Sequence, residues 1–503
     1  MNKTPARRAP LDMSGAEFRR TGHELVDRIA GLIDWLHDPA HPVTRAEGPA
    51  AIRKLLGTGP FPREGSEAGE LLDAAATLLF DHSLFNGHPR FWGYITSPAA
   101  PIGILGDLLA SAVNPNVGAY DLSPVATEIE RQTVRWIAEL IGYPATCGGL
   151  LVSGGNMANF VCFLAARKAM IPWDIRTAGG TDPRARLVRV YCSSETHTWI
   201  NKAADLFGLG HGSLVKIPAG EDQRMRADDL RRAIEADRKS GLIPIMVVGA
   251  AGTVGTGATD PLAAIADICR EHNIWFHVDG AYGGFAACLP EASGDLKALP
   301  HADSVAVDPH KWLYAPLEAG CALVRNGQAL VDAFSYHPEY YRFDEHADEG
   351  AINFYERGPQ NSRGFRALKV WLALRQAGRS GYETMIRDDC ALAAALYRAL
   401  GDYPDLEPLS TNLSITTFRY APARLRAQGN DEYLNRLNTG ILARLQSGGS
   451  VYPSNALVNG KYAIRICIVN FRTTDADISM LPELVVQTGK EVENAITPGD
   501  RMP

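Results

Sequence analysis

Two residues near the middle of the chain carry groups that could do covalent chemistry together. Lys311 lies in the turn-rich stretch DPHKWLYAP (308–316), and Asp279 ends the apolar stretch IWFHVD (274–279). A lysine in apolar surroundings must be paired, must lose its proton or must have reacted. Taken alone, each residue has a simpler explanation: the stem of Lys311 could cover Trp312 while its ammonium reaches water, and Asp279 could cap the following turn.

The positions of both residues favour a shared site. Ligands of open parallel sheets bind at the carboxyl ends of the strands, and Asp279 and Lys311 each follow a predicted strand. A lysine that forms a Schiff base and an aspartate that pairs with a pyridinium nitrogen are what pyridoxal 5'-phosphate (PLP) requires. The small residues after Asp279, GAYGG (280–284), would let a flat ring approach the backbone. We therefore predict a PLP site in which Lys311 is buried because its amine forms a Schiff base with the cofactor.

Two further stretches could complete such a site. The stretch SGGN (153–156) precedes a predicted helix whose first N–H groups could hold a phosphate, although a Gly-Gly pair at this place is usually only a tight turn. His197, in SSETHT (193–198), follows another predicted strand and could stack on a pyridine ring. A single loop histidine is more often a surface or core residue. Both stretches therefore support a cofactor site only in combination with Asp279 and Lys311.

Other kinds of site are not predicted. The eight cysteines are scattered without a CxxC pair, and the spacing of the histidines examined as metal ligands is irregular: these are His82, His88, His337 and His346. The stretch GTVGTG (252–257) does not have the glycine spacing of a dinucleotide-binding loop. We therefore expect neither a metal nor a dinucleotide.

The composition is that of an ordinary globular protein. The chain has 503 residues, of which 46% are hydrophobic and 21% charged, and a formal net charge of -7, so nothing in it suggests disorder or a nucleic-acid-binding surface. The basic N-terminus lacks the apolar core of a signal peptide, and the uncharged stretch 241–259 is richer in glycine and threonine than a membrane span. Scattered cysteines suit a reducing compartment. We expect a cytoplasmic protein without nucleic-acid or membrane partners.

Helices that alternate with short apolar strands predict an α/β fold in the middle of the chain. The strand candidates are residues 187–192, 244–249, 274–279, 304–307 and 321–324. Their continuous apolar character is typical of a largely parallel sheet that is covered by helices on both faces.

The two ends of the chain have different patterns. Ser14 and Glu17 form a capping box before the first of three predicted N-terminal helices. Strand signals at 413–420 and 462–471 lie between helical stretches and predict a smaller α/β domain. We therefore divide the chain into an N-terminal helical segment (1–85), a large PLP-binding domain (86–390) and a small C-terminal domain (391–503).

Seven stretches along the chain carry a family resemblance. They are HPRFWGYITSP (88–98), DLSPVATEIE (121–130), SGGNMAN (153–159), HVDGAYGG (277–284), DPHKW (308–312), HPEYY (337–341) and SRGFRALKVW (362–371). Through them the chain resembles the PLP-dependent group II amino acid decarboxylases, nearest in pattern to the aromatic L-amino acid decarboxylases. The resemblance implies a PLP-dependent transferase fold of type I with a seven-stranded, mainly parallel sheet. It also implies a homodimer with the active site at the interface and the N-terminal helical segment exchanged between subunits.

The resemblance assigns roles to individual residues. Lys311 matches the Schiff-base lysine and Asp279 the pyridinium partner. His197 matches the histidine that stacks on the ring, and Ala281 the small residue on the other face. Tyr340 matches the tyrosine of a mobile loop that protonates Cα after CO2 leaves; relatives with phenylalanine there make aldehydes. The residues that match cofactor-binding positions are Lys311, Asp279, His197, Ala281, Gly155, Asn156, Thr253, His310 and Asp308.

The chain departs from the family pattern at several positions. Asn156 stands where serine is common, and Gly364 where arginine is frequent. Asp308 stands where the aromatic decarboxylases often have asparagine near the phosphate. Because an ionised aspartate would repel the phosphate dianion, we expect the Asp308 side chain to point away from it. The segment NPNVGA (114–119) is less bulky than its aromatic-lined counterpart, which implies a different substrate side-chain pocket.

The predicted activity is decarboxylation of an L-amino acid to its amine and CO2. The candidate substrate pocket consists of Tyr94, Ile95 and Thr96. Nearby Phe91 and Trp92 belong either to this pocket or to the core, and an aromatic substrate is favoured over an aliphatic or acidic one. Tyr340 disfavours an aldehyde-forming decarboxylase-deaminase, and the PHKW and SPVATE stretches disfavour a transaminase. A catalytically silent binding protein of the same fold is the most distant alternative.

Overall fold

A seven-stranded sheet lies at the centre of the computed structural model, which describes residues 9–336 and 346–495. Its strands are β1 (Gly148–Val152), β2 (Val188–Ser193), β3 (Leu214–Ile217), β4 (Ile243–Ala250), β5 (Trp275–Asp279), β6 (Ser304–Val307) and β7 (Gly320–Val324). Across the sheet they are ordered β1-β7-β6-β5-β4-β2-β3. Strand β7 runs antiparallel to both of its neighbours, and the other pairs are parallel. The prediction of a mainly parallel, seven-stranded sheet is confirmed.

The N-terminal helices leave much of their apolar surface uncovered. They are α1 (Gly15–Leu36), α2 (Pro49–Leu56) and α3 (Ala68–His82). Helix α1 begins at the predicted cap, where the Ser14 hydroxyl accepts a hydrogen bond from the Glu17 N–H at 3.1 Å. Helix α1 packs on α3, but Thr21 and Ala76 are their only buried residues, and α2 has none. An amphipathic helix needs a partner for its apolar face, and this chain does not supply one in the described residues.

Helices cover both faces of the large sheet. The helices of this part of the chain are α4 (Pro101–Val113), α5 (Pro124–Leu140), α6 (Gly155–Met170), α7 (Ile175–Ala178), α8 (Trp199–Leu206), α9 (Ala227–Lys239), α10 (Leu262–His272), α11 (Pro309–Trp312), α12 (Gln328–Phe334) and α13 (Ala367–Ala399). Alternate strand residues belong to two separate hydrophobic clusters, since Val247 and Phe276 lie in one, and Met246 and Val248 in the other. Two-sided burial explains why the strand sequences are continuously apolar.

A second sheet of four antiparallel strands forms the C-terminal part. Its strands are β8 (Leu406–Asn412), β9 (Ile415–Tyr420), β10 (Ser454–Val458) and β11 (Lys461–Cys467), in the order β10-β11-β9-β8. Its helices are α14 (Ala423–Arg426), α15 (Asp431–Gly448), α16 (Asp475–Ser479) and α17 (Leu481–Ala495). Helix α13 runs across residue 390 and is kinked at Gly378, where φ is 63°. The domain boundaries drawn from the sequence therefore stay a prediction.

Some elements differ from the sequence-based expectation. Strands β1, β3, β8 and β10 were not predicted from the sequence. Each contains glycine, lysine, proline or asparagine, which interrupts the apolar pattern, and β1, β3 and β10 are also short. Serine is a common N-cap residue, but the Ser123 hydroxyl, before α5, donates to the Asn116 carbonyl at 2.8 Å and caps no N–H of the helix. Among the described residues, no helix is long and apolar enough to cross a membrane.

Candidate active site

A cavity of about 800 Å³ opens where several strands of the large sheet end. It is lined by Ser153 after β1, Ser194 after β2, Asp279 at the end of β5 and Asp308 after β6. Residues of β10 and Arg465 of β11 line it as well, so the cavity lies between the two sheets. This is the edge at which a parallel sheet presents its ligand-binding residues.

Lys311 points into the cavity, not out to solvent. Its Nζ lies 3.0 Å from Asp308 Oδ2, and the side chains of Lys311 and Asp308 are 18% and 2% exposed. A buried ammonium needs such a partner, because it would otherwise pay an unopposed desolvation cost. The explanation that the lysine merely covers Trp312 is therefore wrong.

The aromatic residues around Lys311 hold its turn in place. The Trp312 indole N–H and the Tyr314 hydroxyl both donate to Asp389 Oδ2 at 2.8 Å. Tyr314 has φ of 55°, a left-handed conformation that costs energy in a residue other than glycine. Asp389 lies on α13 and is fully buried, so it ties the lysine-bearing turn to that helix.

Asp279 is held by two N–H donors. Its Oδ2 accepts from the Trp199 indole N–H at 2.7 Å, and its Oδ1 accepts from the Ala281 backbone N–H at 3.1 Å. Both hydrogen bonds fix the orientation of the carboxylate. Asp279 is therefore an oriented acceptor at the end of a central strand.

His197 presents an exposed ring to the same cavity. Its Nδ1 accepts from the Trp199 backbone N–H at 3.3 Å, which leaves Nε2 as the protonated nitrogen of the neutral ring. Desolvation by the surrounding protein lowers the pKa of His197, against the attraction of Asp279, which raises it. A neutral imidazole is suited to stacking on an aromatic ring.

The stretch from Gly154 to Asn156 lines the cavity at the start of α6. Gly154 has φ of 141°, a conformation that favours glycine. A Cβ on Gly155 would lie 2.6 Å from Asp308 Oδ2 and 3.1 Å from Ala281 Cβ, so only glycine fits there. The first backbone N–H groups of α6 have no partner within the helix and can receive an anion.

Asp308 does not point away from this loop, contrary to the expectation from the sequence. Its carboxylate lies against Gly155 and pairs with Lys311, while its Oδ1 is buried and has no hydrogen-bond partner in the described parts of the chain. The physical reason is the ammonium of Lys311, whose attraction draws the carboxylate into the site. A buried oxygen without a partner is costly unless a ligand supplies a donor.

Two further predicted residues also line the cavity. Thr253 is buried, and its hydroxyl lies 3.1 Å from that of Thr256. His310 accepts a hydrogen bond from the Ala319 N–H at Nδ1, and burial lowers its pKa. Its protonated Nε2 lies 3.7 Å from Asp308 Oδ2, too far for a good hydrogen bond.

The predicted substrate pocket is only partly formed by the predicted residues. Tyr94 and Ile95 line the cavity, whereas Thr96 does not. Phe91 and Trp92 are 2% and 0% exposed and also do not line it; Phe91 stacks on Tyr452, and Trp92 lies in the core of the small sheet. These two aromatic residues therefore belong to the core.

Tyr340 and His337 lie outside the described residues, so the predicted role of Tyr340 stays a prediction. In the parts of the chain that the structure describes, no group of three or more histidine, cysteine, aspartate or glutamate side chains could hold a metal ion.

Comparison with known proteins identifies the family. The pyridoxal-dependent decarboxylase conserved domain matches residues 55–420. The chain belongs to the pyridoxal-dependent decarboxylase family. The protein is accordingly a PLP-dependent amino acid decarboxylase, a carboxy-lyase, and the resemblance, fold type and cofactor predicted from the sequence are confirmed.

Individual members of the family cover almost the whole chain. An aromatic-L-amino-acid decarboxylase of Bacillus atrophaeus is 33% identical over 483 residues, which are 96% of this chain and 97% of that protein. A phenylacetaldehyde synthase of Petunia hybrida is 31% identical over 466 residues, 90% of each chain. The crystal structure of Oryza sativa TDC with PLP and tryptamine is 26% identical, has a TM-score of 0.88 and covers 96% of this chain and 99% of that one.

The cavity fits the cofactor of this decarboxylase family. It offers a lysine amine for the aldehyde, an oriented carboxylate for the ring nitrogen and a glycine loop at a helix start for the phosphate.

Three residues of the site were missed by reasoning from the sequence. Trp199 holds Asp279, Asp389 holds the lysine turn, and Arg465 lines the cavity from the small sheet. Trp199 lies only two residues after His197, and this short distance in sequence could have identified it as a candidate site residue. Arg465 in the apolar strand sequence YAIRICIV (462–469) was a second available signal, since a buried charge in a strand needs an explanation.

Proposed function

We propose that the protein converts an aromatic L-amino acid to its amine and CO2 in the cavity that holds Lys311. The observation that carries the proposal is the convergence of Lys311, Asp279 and His197 on one cavity beside a glycine loop. The aromatic substrate is supported by the Bacillus atrophaeus relative and by the tryptamine bound in the rice structure. Exposed Tyr94 and buried Ile95 offer it an apolar surface in the cavity.

PLP, when bound, supplies an aldehyde for an amine and a ring that takes up the electrons of the broken bond to the carboxylate. In this proposal Lys311 holds the cofactor and Asp279 pairs with its ring nitrogen. His197 and Ala281 contact the two faces of the ring. Gly155 and Asn156 bind the phosphate through the start of α6, while Thr253, His310 and Asp308 complete the walls of the cofactor site.

Arg465 is proposed to bind the carboxylate of the substrate. It is buried, and three hydrogen bonds hold its guanidinium: Nε donates to the Gly255 carbonyl at 3.1 Å, and Nη1 donates to the Tyr94 carbonyl at 2.8 Å and the Ser454 hydroxyl at 3.1 Å. Its Nη2 is buried and has no hydrogen-bond partner among the described residues. Because Arg465 lines the cavity, we propose that this remaining donor binds an anionic group of a ligand.

The second candidate function is formation of an aldehyde from the same substrates, favoured by the 31% identical phenylacetaldehyde synthase. Tyr340 distinguishes the two in our proposal, because its hydroxyl would deliver a proton to Cα after CO2 leaves. We therefore propose the amine as the product.

A homodimer with the active site at its interface is also proposed. Helix α4 exposes four apolar side chains, each by more than half: Leu105, Leu108, Leu109 and Val113. Helix α3 likewise exposes Leu71 and Leu79. A second copy of the chain would bury these surfaces. A cytoplasmic location is proposed on the basis of the eight free cysteines.

Product analysis tests the proposed function. The PLP-loaded protein is incubated with the twenty common amino acids and dopa, and the products are identified by mass spectrometry. An aromatic amine lighter than its substrate by CO2 is the expected result. An amine from an aliphatic or acidic amino acid would overturn the substrate class, and an aldehyde would overturn the product.

A further inference from the structure

Trp199 contacts both Asp279, which is proposed to pair with the ring nitrogen of the cofactor, and His197, which is proposed to stack on the ring. Its indole N–H donates to Asp279 Oδ2 at 2.7 Å, and its backbone N–H donates to His197 Nδ1 at 3.3 Å. Helix α8 begins at this residue, and its side chain is fully buried. One residue at the start of one helix therefore holds two cavity groups, one in the loop after β2 and the other at the end of β5.

The bond to Asp279 has features that fix the carboxylate. An indole N–H is only a donor, so it cannot exchange roles with the carboxylate. Burial excludes water that would compete for the oxygen, and the Ala281 N–H holds the other oxygen at 3.1 Å. Each carboxylate oxygen thus has one protein donor and keeps a further lone pair for a ligand.

The indole itself cannot turn away. The ring of His277 meets it edge-on, with centroids 5.7 Å apart and planes at 84°. His277 is in turn held by the Ser304 hydroxyl at 2.8 Å and the Asn159 amide oxygen at 2.7 Å. Burial lowers the pKa of His277 to about 4, so this neighbour stays neutral and does not compete for Asp279 as a cation.

We propose that Trp199 is a positioning residue for the cofactor: its indole N–H holds Asp279 as an oriented acceptor for the PLP ring nitrogen, while its backbone N–H fixes the ring of His197. The inference rests on the proposed roles of Asp279 and His197. It predicts that the indole N–H determines how fully the ring nitrogen is protonated and how tightly PLP is held.

Trp275 offers a matched control. It is also a nearly buried tryptophan, on the strand that carries Asp279, but its indole N–H donates to the Ser304 hydroxyl at 2.8 Å. The changes Trp199→Phe and Trp275→Phe each remove one buried indole N–H. Only the first removes a donor from Asp279.

The test uses PLP labelled with 15N at the ring nitrogen, bound to the wild type and to both variants. The 15N chemical shift reports protonation of the ring nitrogen, and dialysis gives PLP affinity. For Trp199→Phe we expect a shift towards the unprotonated value and about tenfold or greater loss of PLP affinity, the size expected for a hydrogen bond to a charged acceptor. Trp275→Phe is expected to keep the wild-type shift. Equal shifts and affinities in the two variants would overturn the inference.

A second substitution distinguishes the effect of the indole N–H from the effect of the ring's shape. Benzothienylalanine at position 199 replaces the indole N–H by sulfur and keeps the bicyclic ring, so it tests the bond even if Trp199→Phe does not fold. The same shift as in wild type would again overturn the inference. Two results in the wild type would contradict the proposed function irrespective of Trp199. An unprotonated ring nitrogen in the bound PLP would contradict the role of Asp279, and PLP that is not attached to Lys311 would contradict the role of that lysine.

Discussion

Arg363 and Arg465 are both buried, but their hydrogen bonds indicate different roles. Arg363 is 3% exposed and fully engaged: it pairs with Glu130 and donates to the backbone carbonyls of Val117 at 2.8 Å and Leu151 at 2.6 Å. Arg465 is equally buried and lines the cavity, but its Nη2 has no partner among the residues that the structure describes. The first ties elements together, and the second is equipped to bind an anion.

Replacing Arg465 by lysine is expected to weaken binding of the amino acid by about tenfold, because one charge-assisted hydrogen bond is lost. The amine product lacks the carboxylate, so its affinity should change by much less. Spectroscopic titration of the PLP-loaded variant with the substrate and with the amine measures both. Equal weakening of the two ligands would mean that Arg465 acts only through the shape of the cavity.

Replacing Tyr340 by phenylalanine is expected to shift the product from amine towards aldehyde, since the proton for Cα would no longer be delivered. The adjacent Tyr341→Phe serves as a control in the same HPEYY stretch. Mass spectrometry of the products from one aromatic substrate measures the ratio. Unchanged amine production by the Tyr340 variant would remove that residue from the mechanism.

Helix α6 requires glycine at its first residue, Gly155. Gly155→Ala would place a methyl group 2.6 Å from Asp308 Oδ2 and 3.1 Å from Ala281 Cβ, so the loop or the aspartate must move. We expect PLP affinity to fall about tenfold or more while the fold remains. Gly448→Ala, at the end of α15 with open space around it, is the control and should bind PLP normally. Equilibrium dialysis with PLP gives the answer, and wild-type affinity in Gly155→Ala would contradict the assignment of the phosphate loop.

The link between α13 and the lysine turn should make stability depend on pH. Burial raises the pKa of Asp389 from 3.8 to about 7, although the hydrogen bonds from Trp312 and Tyr314 lower it. Because the folded value is above the unfolded value, the contribution of this group is complete below about pH 4 and is lost as the pH rises to about 7. Asp389→Asn should therefore reduce the decline in unfolding free energy between pH 4 and 7. Urea denaturation at several pH values measures it, and an unchanged slope would contradict the assignment.

The elements that sequence patterns revealed are those whose burial is uniform. Strands β5 and β6 are buried on both faces and consist mostly of apolar residues, and their ends located Asp279 and the turn of Lys311. Strand β1 begins with two glycines, and β3 is only four residues long with an exposed lysine, so neither has a recognisable pattern. Trp199, Asp389 and Arg465 act through contacts between distant parts of the chain. Such contacts depend on how the elements pack, which no single segment encodes.

For the whole molecule, the uncovered helix faces predict association. Leu108→Asp places a charge on the apolar face of α4, where Leu108 is 53% exposed. We expect this variant to be monomeric and to lose activity, because the active site is proposed to lie at the interface. Leu206→Asp, on the exposed end of α8, is the control and should stay dimeric. Sedimentation velocity of the PLP-loaded proteins decides: a dimeric Leu108 variant would show that α4 is not part of the interface.

The residue to which PLP is attached tests most directly whether the cavity of Lys311 is the decarboxylation site. The PLP-loaded protein is reduced with borohydride, digested and mapped by mass spectrometry, with and without prior addition of an aromatic amino acid. We expect a pyridoxyl group on Lys311 and less label there when the amino acid is present, because the substrate amine would take the place of the lysine. Label on another lysine, or a Lys311 label that no amino acid reduces, would contradict the assignment of this cavity as the decarboxylation site.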